Sequence, residues 1–129
     1  MSASATYTQT TTQIVLPGIV APSGLQIRHV GAPNPTARQV LLRMEASGVS
    51  FAEKAMRRGR YPGQPKFPFV PGYDVVGTVL SVGPGGDRSL IGRRVAAATK
   101  TGGWSTHVLA LPTRSYGCLR ASPRPMRRR

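Results

Sequence analysis

The stretch P-F-V-P-G-Y-D-V-V-G-T-V at residues 68–79 carries the clearest strand signal in the chain and decides the fold class. Its second half belongs to residues 74–82, D-V-V-G-T-V-L-S-V, where β-branched side chains dominate and predict a β-strand. Gly77 within that strand indicates a bulge or a close approach by another backbone segment. Four prolines in residues 61–72 exclude a helix and a central strand, so this segment is predicted to be a loop.

Shorter strand signals lie on both sides of this stretch. Alternate positions of residues 40–46 are apolar, which predicts a half-buried strand closed by Gly48. Further short strands, separated by turns rich in glycine and proline, are predicted at residues 13–16, 25–30, 94–98 and 104–111. The pattern as a whole predicts a mainly β fold, either a barrel or a sandwich.

One short helix is expected, beginning at Ser50. Ser50 and Glu53 have the S-x-x-E spacing of a capping box, in which the hydroxyl and the carboxylate each accept a hydrogen bond from a free backbone amide. Phe51 and Ala55, with Met56 beside them, are expected to face inward. Positive charge suits the C-terminal end of a helix, and three arginines lie there before and after Gly59: Arg57, Arg58 and Arg60.

The chain has 129 residues, enough for one domain, and a formal net charge of +14. Six of its 18 basic residues lie in the last sixteen positions, and the other twelve, set against four acidic residues, leave about +8 on the body. These charges are scattered, and no stacking aromatic residues are interleaved with the arginines as in single-strand binders. A solvated basic surface is therefore expected. The alternative is a small basic nucleic-acid-binding β-barrel with an arginine-rich tail.

A single cysteine, Cys118, excludes a disulfide framework and a four-cysteine zinc site within the chain. No apolar run approaches the roughly 20 residues that cross a bilayer, so no membrane partner is expected. Residues 1–12 are polar and lack the layout of a signal peptide. They are predicted to be a disordered lead-in to a cytoplasmic protein.

Between about residues 40 and 112 the order of these signals resembles the N-terminal, GroES-like domain of medium-chain dehydrogenase/reductases. The motifs that carry the resemblance are the 68–79 stretch and A-S-G-V-S (46–50), R-R-G-R-Y-P (57–62), S-V-G (81–83), I-G-R-R-V (91–95) and G-G-W-S-T-H-V (102–108). Each motif alone is weak, but their order and spacing over more than half of the chain are specific. The resemblance implies a partly open β-barrel over residues 13–112 that forms one wall of an active-site cleft. A Rossmann domain that holds NAD(P) would form the other wall.

Two positions separate this chain from the zinc-dependent branch of that family. That branch has a cysteine ligand where Ser50 stands, and a histidine in a G-H-E motif where this chain reads Gly72-Tyr73-Asp74. A serine hydroxyl and a phenol are poorer zinc ligands than a thiolate and an imidazole. The resemblance therefore implies the zinc-free branch, which includes quinone oxidoreductases and zeta-crystallin, and no metal site.

The resemblance also assigns residues to the neighbourhood of the substrate and cofactor. In the zinc-free branch the polar residue after G-V lies close to the nicotinamide, and here it is Ser50. The tyrosine of R-x-G-x-Y-P lines the quinone pocket, and here it is Tyr61. Phe51 and Glu53 follow as further candidates, and Asp74 stands at the acidic position of the family.

Each of these residues also has a purely structural interpretation. Ser50 and Glu53 are explained as a helix cap, which stabilises a helix by about 1 kcal/mol. Tyr61 and Phe69 could close one end of the barrel. Asp74 could be a turn residue or the ion-pair partner of an arginine.

The cofactor-binding half of such an enzyme is not expected in this chain. A dinucleotide site needs a strand, a glycine-rich turn and a helix N-terminus aimed at the pyrophosphate. The glycine cluster at residues 83–86 lacks the G-x-G-x-x-G spacing and is followed by no helical pattern, so it is predicted to be a turn. By resemblance, the full-length relative moves hydride from NADPH or NADH to a quinone or an enone. The isolated chain is expected to be inactive and to bind NADPH weakly or not at all.

The last seventeen residues, 113–129, have neither helical nor strand periodicity and accumulate arginine. Permitted codons for residues 114–129, read two bases later, encode E-L-R-L-P-P-G-L-A-P-A-D-A-A-A, which resembles the continuation of the family. The tail is therefore expected to be a disordered, non-native product of a frameshift. A genuine basic tail for an anionic partner is the alternative. A barrel face left without its partner domain predicts homodimerisation or aggregation.

Overall fold

Residues 9–111, the part of the chain that the computed structural model describes, form six β-strands and one α-helix. In chain order the elements are β1 (Thr10–Val15), β2 (Gln26–Gly31), β3 (Val40–Ser47), α1 (Phe51–Arg57), β4 (Asp74–Val82), β5 (Arg94–Ala98) and β6 (His107–Ala110). The predicted mainly β fold with one short helix is confirmed. The expected tail at residues 113–129 lies outside the described residues. Within residues 9–111 there is no helix with the length and hydropathy that a bilayer span requires.

All strand pairs in this part of the chain are antiparallel. Strands β5, β4, β3 and β6 form a four-stranded sheet in that order, and β1 pairs with β2 in a second sheet. The Ile14 amide donates to the Trp104 carbonyl at 2.9 Å, and the Thr106 amide donates to the Thr12 carbonyl at 3.0 Å. These bonds join the two sheets into the partly open barrel that the resemblance implies. Residues 9–111 contain no parallel βαβ unit of the kind that builds a Rossmann domain.

The central pair of the larger sheet has a bulge opposite a glycine. The register between β3 and β4 shifts between Met44 and Ala46, and Met44 pairs with Gly77. A Cβ atom at Gly77 would lie 2.5 Å from the carbonyl oxygen of Arg43. The close backbone approach that Gly77 indicated is therefore confirmed, because a side chain at this position would displace the neighbouring strand.

The first strand begins earlier than expected. Strand β1 starts at Thr10, so the prediction of a disordered lead-in over residues 1–12 is wrong for residues 10–12. Thr11 is fully buried (0% exposed), and its hydroxyl lies 3.0 Å from Nδ1 of His107 on β6. A threonine can be buried when its hydroxyl has such a partner, and this pairing between distant segments left no local signal.

Two apolar clusters hold the fold together. The larger one lies against the four-stranded sheet around Leu42 and Val79, both almost fully buried. The smaller one brings together Leu16 after β1, Met56 of α1 and Phe69 of the proline-rich loop. Since Leu16 and Phe69 also pair through their backbones, this second cluster positions the helix and the loop relative to the first sheet.

His107 makes the stability of the fold depend on pH. Burial lowers the pKa of His107 below its ordinary value of 6.5, and the charge of Arg43 lowers this pKa further. The unfolded chain therefore binds more protons than the folded chain just below pH 6.5, and stability falls as the pH drops from there towards the folded-state pKa. We expect the urea concentration at the midpoint of unfolding to decrease as the pH is lowered from about 7.5 to about 5.5. His107→Gln should flatten that fall, and an unchanged profile in this variant would contradict the assignment.

Candidate functional site

The helix begins with the capping box that the sequence predicts. Ser50 has extended backbone angles (φ −129°, ψ 175°), and its Oγ accepts a hydrogen bond from the Ala52 amide at 3.1 Å. The Ser50 amide donates to Oε2 of Glu53 at 2.9 Å. The Ser50 hydroxyl donates to the same carboxylate oxygen. Together with the backbone amide of Glu53, which also donates to the Ser50 side chain, these hydrogen bonds fix the first turn of α1.

Glu53 is buried, which the sequence did not predict. Its side chain is only 4% exposed, and Oε2 is the oxygen that both groups of Ser50 contact. The other oxygen, Oε1, has no hydrogen-bond partner among the described residues. Burying a carboxylate oxygen without a hydrogen-bond donor costs free energy, so Oε1 is a position at which one more hydrogen bond can be accepted.

The bonding of Ser50 determines what its hydroxyl can offer to a ligand. A serine hydroxyl has one proton to donate and two lone pairs that accept. The proton is directed to the Glu53 carboxylate, one lone pair accepts from the Ala52 amide, and the capping box directs the other to the backbone amide of Glu53. In this arrangement the hydroxyl of Ser50 is fully used at the helix terminus and leaves no hydrogen-bonding position for a bound group.

Phe51 does not face inward as expected. Its side chain is 85% exposed, and the ammonium of Lys54 lies 5.5 Å from the centre of its ring. The buried residues of α1 are Glu53 and Met56. The helix is therefore rotated relative to the prediction, with Glu53 inside and the Phe51 ring in solvent.

Asp74 holds the segment that precedes the helix. Its Oδ1 accepts a hydrogen bond from the Gly48 amide at 3.0 Å, and its backbone carbonyl accepts from the Ser47 hydroxyl at 3.2 Å. The alternative of an ion pair with an arginine is wrong within residues 9–111, where the ion pair joins Arg94 to Glu45 at 2.9 Å. Asp74 thus connects the start of β4 to the A-S-G-V-S motif.

Trp104 holds the same segment from the other side, a contact that no sequence motif indicated. Its indole Nε1 donates to the Gly48 carbonyl at 3.0 Å. Gly48 therefore uses both its amide and its carbonyl in bonds to two distant motifs. We call this arrangement of Gly48, Asp74 and Trp104 the Gly48 junction. It brings together the motifs at residues 46–50, 68–79 and 102–108.

Tyr61 lies apart from this junction, beyond the end of α1. Its side chain is 40% exposed, and its backbone amide donates to Oε1 of Gln64 at 3.0 Å. Phe69, by contrast, is buried in the smaller apolar cluster and stacks on Phe67 with ring centres 5.8 Å apart. Phe69 therefore packs in the interior of the smaller cluster, whereas the Tyr61 ring remains partly accessible.

Two open grooves lie on either side of the Gly48 junction. One, of about 550 Å³, is lined by Ser47, Gly48, Asp74 and the neighbouring Tyr73 and Ala98 among others. The other, of about 560 Å³, is mainly apolar and includes Met44, Val49 and Trp104. No group of three His, Cys, Asp or Glu side chains that could hold a metal ion is found in the described part of the chain. The segment at residues 46–49 is thus a rim between two surfaces that are open to a ligand or to another domain.

Comparison with known proteins identifies the family. The sequence model of the alcohol dehydrogenase GroES-like domain family matches residues 36–120. This range extends beyond the domain boundary expected at residue 112. The human synaptic vesicle membrane protein VAT-1 homolog is 36% identical over 84 residues, which are 65% of this chain and 21% of that protein. The rat quinone oxidoreductase is 36% identical over 88 residues, which are 67% of this chain and 27% of that protein.

Solved structures show the same relationship. The human VAT-1 homolog-like protein superposes with a TM-score of 0.73 and 28% identity over 80% of this chain and 33% of that chain. The quinone oxidoreductase from Thermus thermophilus, whose structures include an NADPH complex, superposes with a TM-score of 0.69 and 31% identity. The match covers 85% of this chain and 32% of that chain. This chain spans about a fifth to a third of the length of these relatives. The chain belongs to the medium-chain dehydrogenase/reductase family and carries its alcohol dehydrogenase GroES-like domain.

Proposed function

We propose that this chain is the substrate-side domain of an NAD(P)H-dependent oxidoreductase that reduces quinones or enones by hydride transfer. The observation that carries the proposal is the Gly48 junction, which fixes residues 46–49, directly before Ser50, at the rim of two open grooves. Quinone oxidoreductases of rat and human match 67% and 69% of the chain. The nucleotide-binding wall of the cleft has to come from another domain, since residues 9–111 supply only antiparallel strands and one short helix.

Within this proposal the residues of the rim have distinct tasks. Bound NADPH supplies the hydride, and the protein orients the cofactor. Ser50, whose hydroxyl is used by the helix cap, contributes by fixing the start of α1 beside the nicotinamide. Asp74 keeps the rim in place through Gly48. The partly exposed ring of Tyr61 contributes to the pocket for the quinone or enone.

We infer that this site works without zinc. The position of a thiolate ligand is taken by Ser50, whose hydroxyl proton is already directed to Glu53. The position of an imidazole ligand is taken by Tyr73, which offers a phenol. Both are weak zinc ligands, so the donor set of the rim does not fit a catalytic zinc ion.

The function is tested with a chimera in which residues 9–111 replace the matching domain of the Thermus thermophilus quinone oxidoreductase. We expect the chimera to oxidise NADPH in the presence of benzoquinone, and we expect the isolated chain to show no such activity. A folded chimera that binds NADPH but reduces neither benzoquinone nor an enone would contradict the proposed substrate class. Micromolar affinity of the isolated chain for NADPH, measured by fluorescence titration, would contradict the assignment of nucleotide binding to another domain.

Ser50→Ala should destabilise the chain. We expect a loss of about 2 kcal/mol, because the cap contributes about 1 kcal/mol and the buried Glu53 carboxylate loses a donor. Ser50→Thr keeps a hydroxyl at the cap and serves as the control. Urea unfolding of both variants measures the difference, and equal stabilities would show that the hydroxyl does not hold the helix terminus.

A further inference from the structure

The groove of about 550 Å³ beside the Gly48 junction has few side chains that can form hydrogen bonds. Its walls come from the end of β3, the start of β4 and the end of β5, and most of the residues are alanine and valine. The polar side chains are those of Ser47, Tyr73 and Asp74. Because a polar group that leaves water needs a partner, these three side chains decide which polar group of a ligand the groove can accept.

Two of these three side chains have no proton to offer. The Ser47 hydroxyl donates to the backbone carbonyl of Asp74 at 3.2 Å, so its proton is already used. The Asp74 carboxylate is an acceptor, and its Oδ1 already accepts from the Gly48 amide at 3.0 Å. The hydroxyl of Tyr73 is therefore the side-chain donor that the groove still has for a ligand.

The Tyr73 hydroxyl is both unpaired within residues 9–111 and accessible. The buried side-chain atom without a hydrogen bond in this part of the chain is Oε1 of Glu53, so the unpaired oxygen of Tyr73 is not a buried one. The backbone at this point is nevertheless fixed. The Tyr73 carbonyl accepts from the Thr99 amide at 2.7 Å, and the Gly72 carbonyl accepts from the Thr99 hydroxyl at 3.0 Å. The fold thus holds a phenol at the groove without using its proton.

We propose that Tyr73 binds the carbonyl oxygen of the substrate by donating a hydrogen bond from its phenol. This assignment rests on the proposed function. When hydride adds to a quinone or an enone, negative charge develops on the carbonyl oxygen, and a fixed donor at that oxygen stabilises the charge. The donor set of the rim does not fit zinc, so this stabilisation has to come from a hydrogen-bond donor. Tyr61 does not line this groove, which separates its place in the pocket from that of Tyr73.

The binding part is tested on the full chain by titration with cyclohexenone, followed by nuclear magnetic resonance of the backbone amides. We expect shifts at the residues that line the groove. Tyr73→Phe should weaken this binding about fivefold, the effect of losing one hydrogen bond. Cyclohexene has a similar ring without the carbonyl, so it should bind equally to the chain and to this variant. Ser89→Ala removes an exposed hydroxyl outside the groove and should leave the binding of cyclohexenone unchanged.

The catalytic part is tested in the chimera with the Thermus thermophilus enzyme. Tyr73→Phe should lower kcat for cyclohexenone about a hundredfold, because the hydrogen bond strengthens as charge develops on the oxygen. The Kd for NADPH should not change. The urea midpoint of Tyr73→Phe should also equal that of the parent, since the hydroxyl has no partner in residues 9–111 whose bond would be lost.

The outcomes distinguish this assignment from the proposed function. If the chimera reduces cyclohexenone and Tyr73→Phe leaves kcat unchanged, the assignment is wrong and the proposed function stands. If the chimera binds NADPH but reduces no carbonyl compound, the proposed function is wrong, and the titration of the full chain then decides about Tyr73. Absence of binding, or equal affinities of the chain and Tyr73→Phe for cyclohexenone, would overturn the assignment. A lower urea midpoint in Tyr73→Phe would show that the hydroxyl has a structural role instead.

Discussion

Gly72→Ala is expected to lower the free energy of unfolding by about 3 kcal/mol, because the new methyl group meets backbone atoms that cannot move. Gly72 has a φ of +99°, and a Cβ atom there would lie 2.6 Å from Cδ1 and 2.7 Å from the amide nitrogen of Trp104. The strand segments at this point are held by the Gly103 amide, which donates to the Gly72 carbonyl at 2.9 Å. Relief of the clash would push Trp104 away from Gly48 and open the rim of the cleft.

A second glycine separates the clash from the backbone strain. Gly63 also has a positive φ of +75°, but a Cβ atom there would have no neighbour within 4 Å. Gly63→Ala should therefore cost only about 1 kcal/mol, the strain of a left-handed alanine. Urea unfolding measures both variants, and the fluorescence of Trp104, the single tryptophan, reports whether its indole leaves Gly48. Equal losses of stability in the two variants would refute the steric explanation.

Leu42→Ala should cost about 3 kcal/mol, a typical loss for a buried leucine whose neighbours cannot collapse into the space. Leu42 is 0% exposed and lies in β3, between β4 and β6. Its packing partners are held in place by the antiparallel ladders on both sides, so the cavity left by the truncation remains open.

The matched control for this variant is Leu111, which is 53% exposed. Leu111→Ala removes the same atoms but little buried surface, so it should cost less than about 1 kcal/mol. Thermal unfolding followed by circular dichroism compares the two. If Leu111→Ala is as destabilising as Leu42→Ala, the larger cluster is not the main source of stability.

The parts of the fold that could be predicted from the sequence are those with local signals. The predicted strand at residues 74–82 has the observed bounds, and β-branched residues define it without reference to the rest of the chain. The helix cap needs only Ser50 and Glu53, three residues apart. Gly77 indicated a close backbone approach because a glycine weakens the interior of a strand unless a neighbouring backbone needs the space.

The rotation of the helix could not be predicted in the same way. A seven-residue helix has fewer than two turns, so the apolar pattern does not define one face. In the structure Glu53 lies on the inner side of the helix and Phe51 on the outer side. The preference of an isolated phenylalanine for the core was therefore a poor guide.

The Gly48 junction could not be predicted because its bonds join distant segments. The Trp104 indole and the Gly48 carbonyl are 56 positions apart, and neither residue type requires the other. The same holds for Thr11 and His107, which are 96 positions apart and whose contact accounts for a polar segment forming a strand. Such contacts follow from the closure of the barrel, which no single motif encodes.

Under the proposed function, the double attachment of Gly48 limits how new substrate specificity can evolve. Because the peptide groups on both sides of Gly48 are tethered, the backbone of the rim has little freedom to shift for a larger or differently shaped compound. Variation among descendants should therefore accumulate in the proline-rich loop around Tyr61, whose ring has no comparable tether in the described residues. Substitutions in the rim would disturb its hydrogen bonds, whereas substitutions in the loop would leave the rim unchanged.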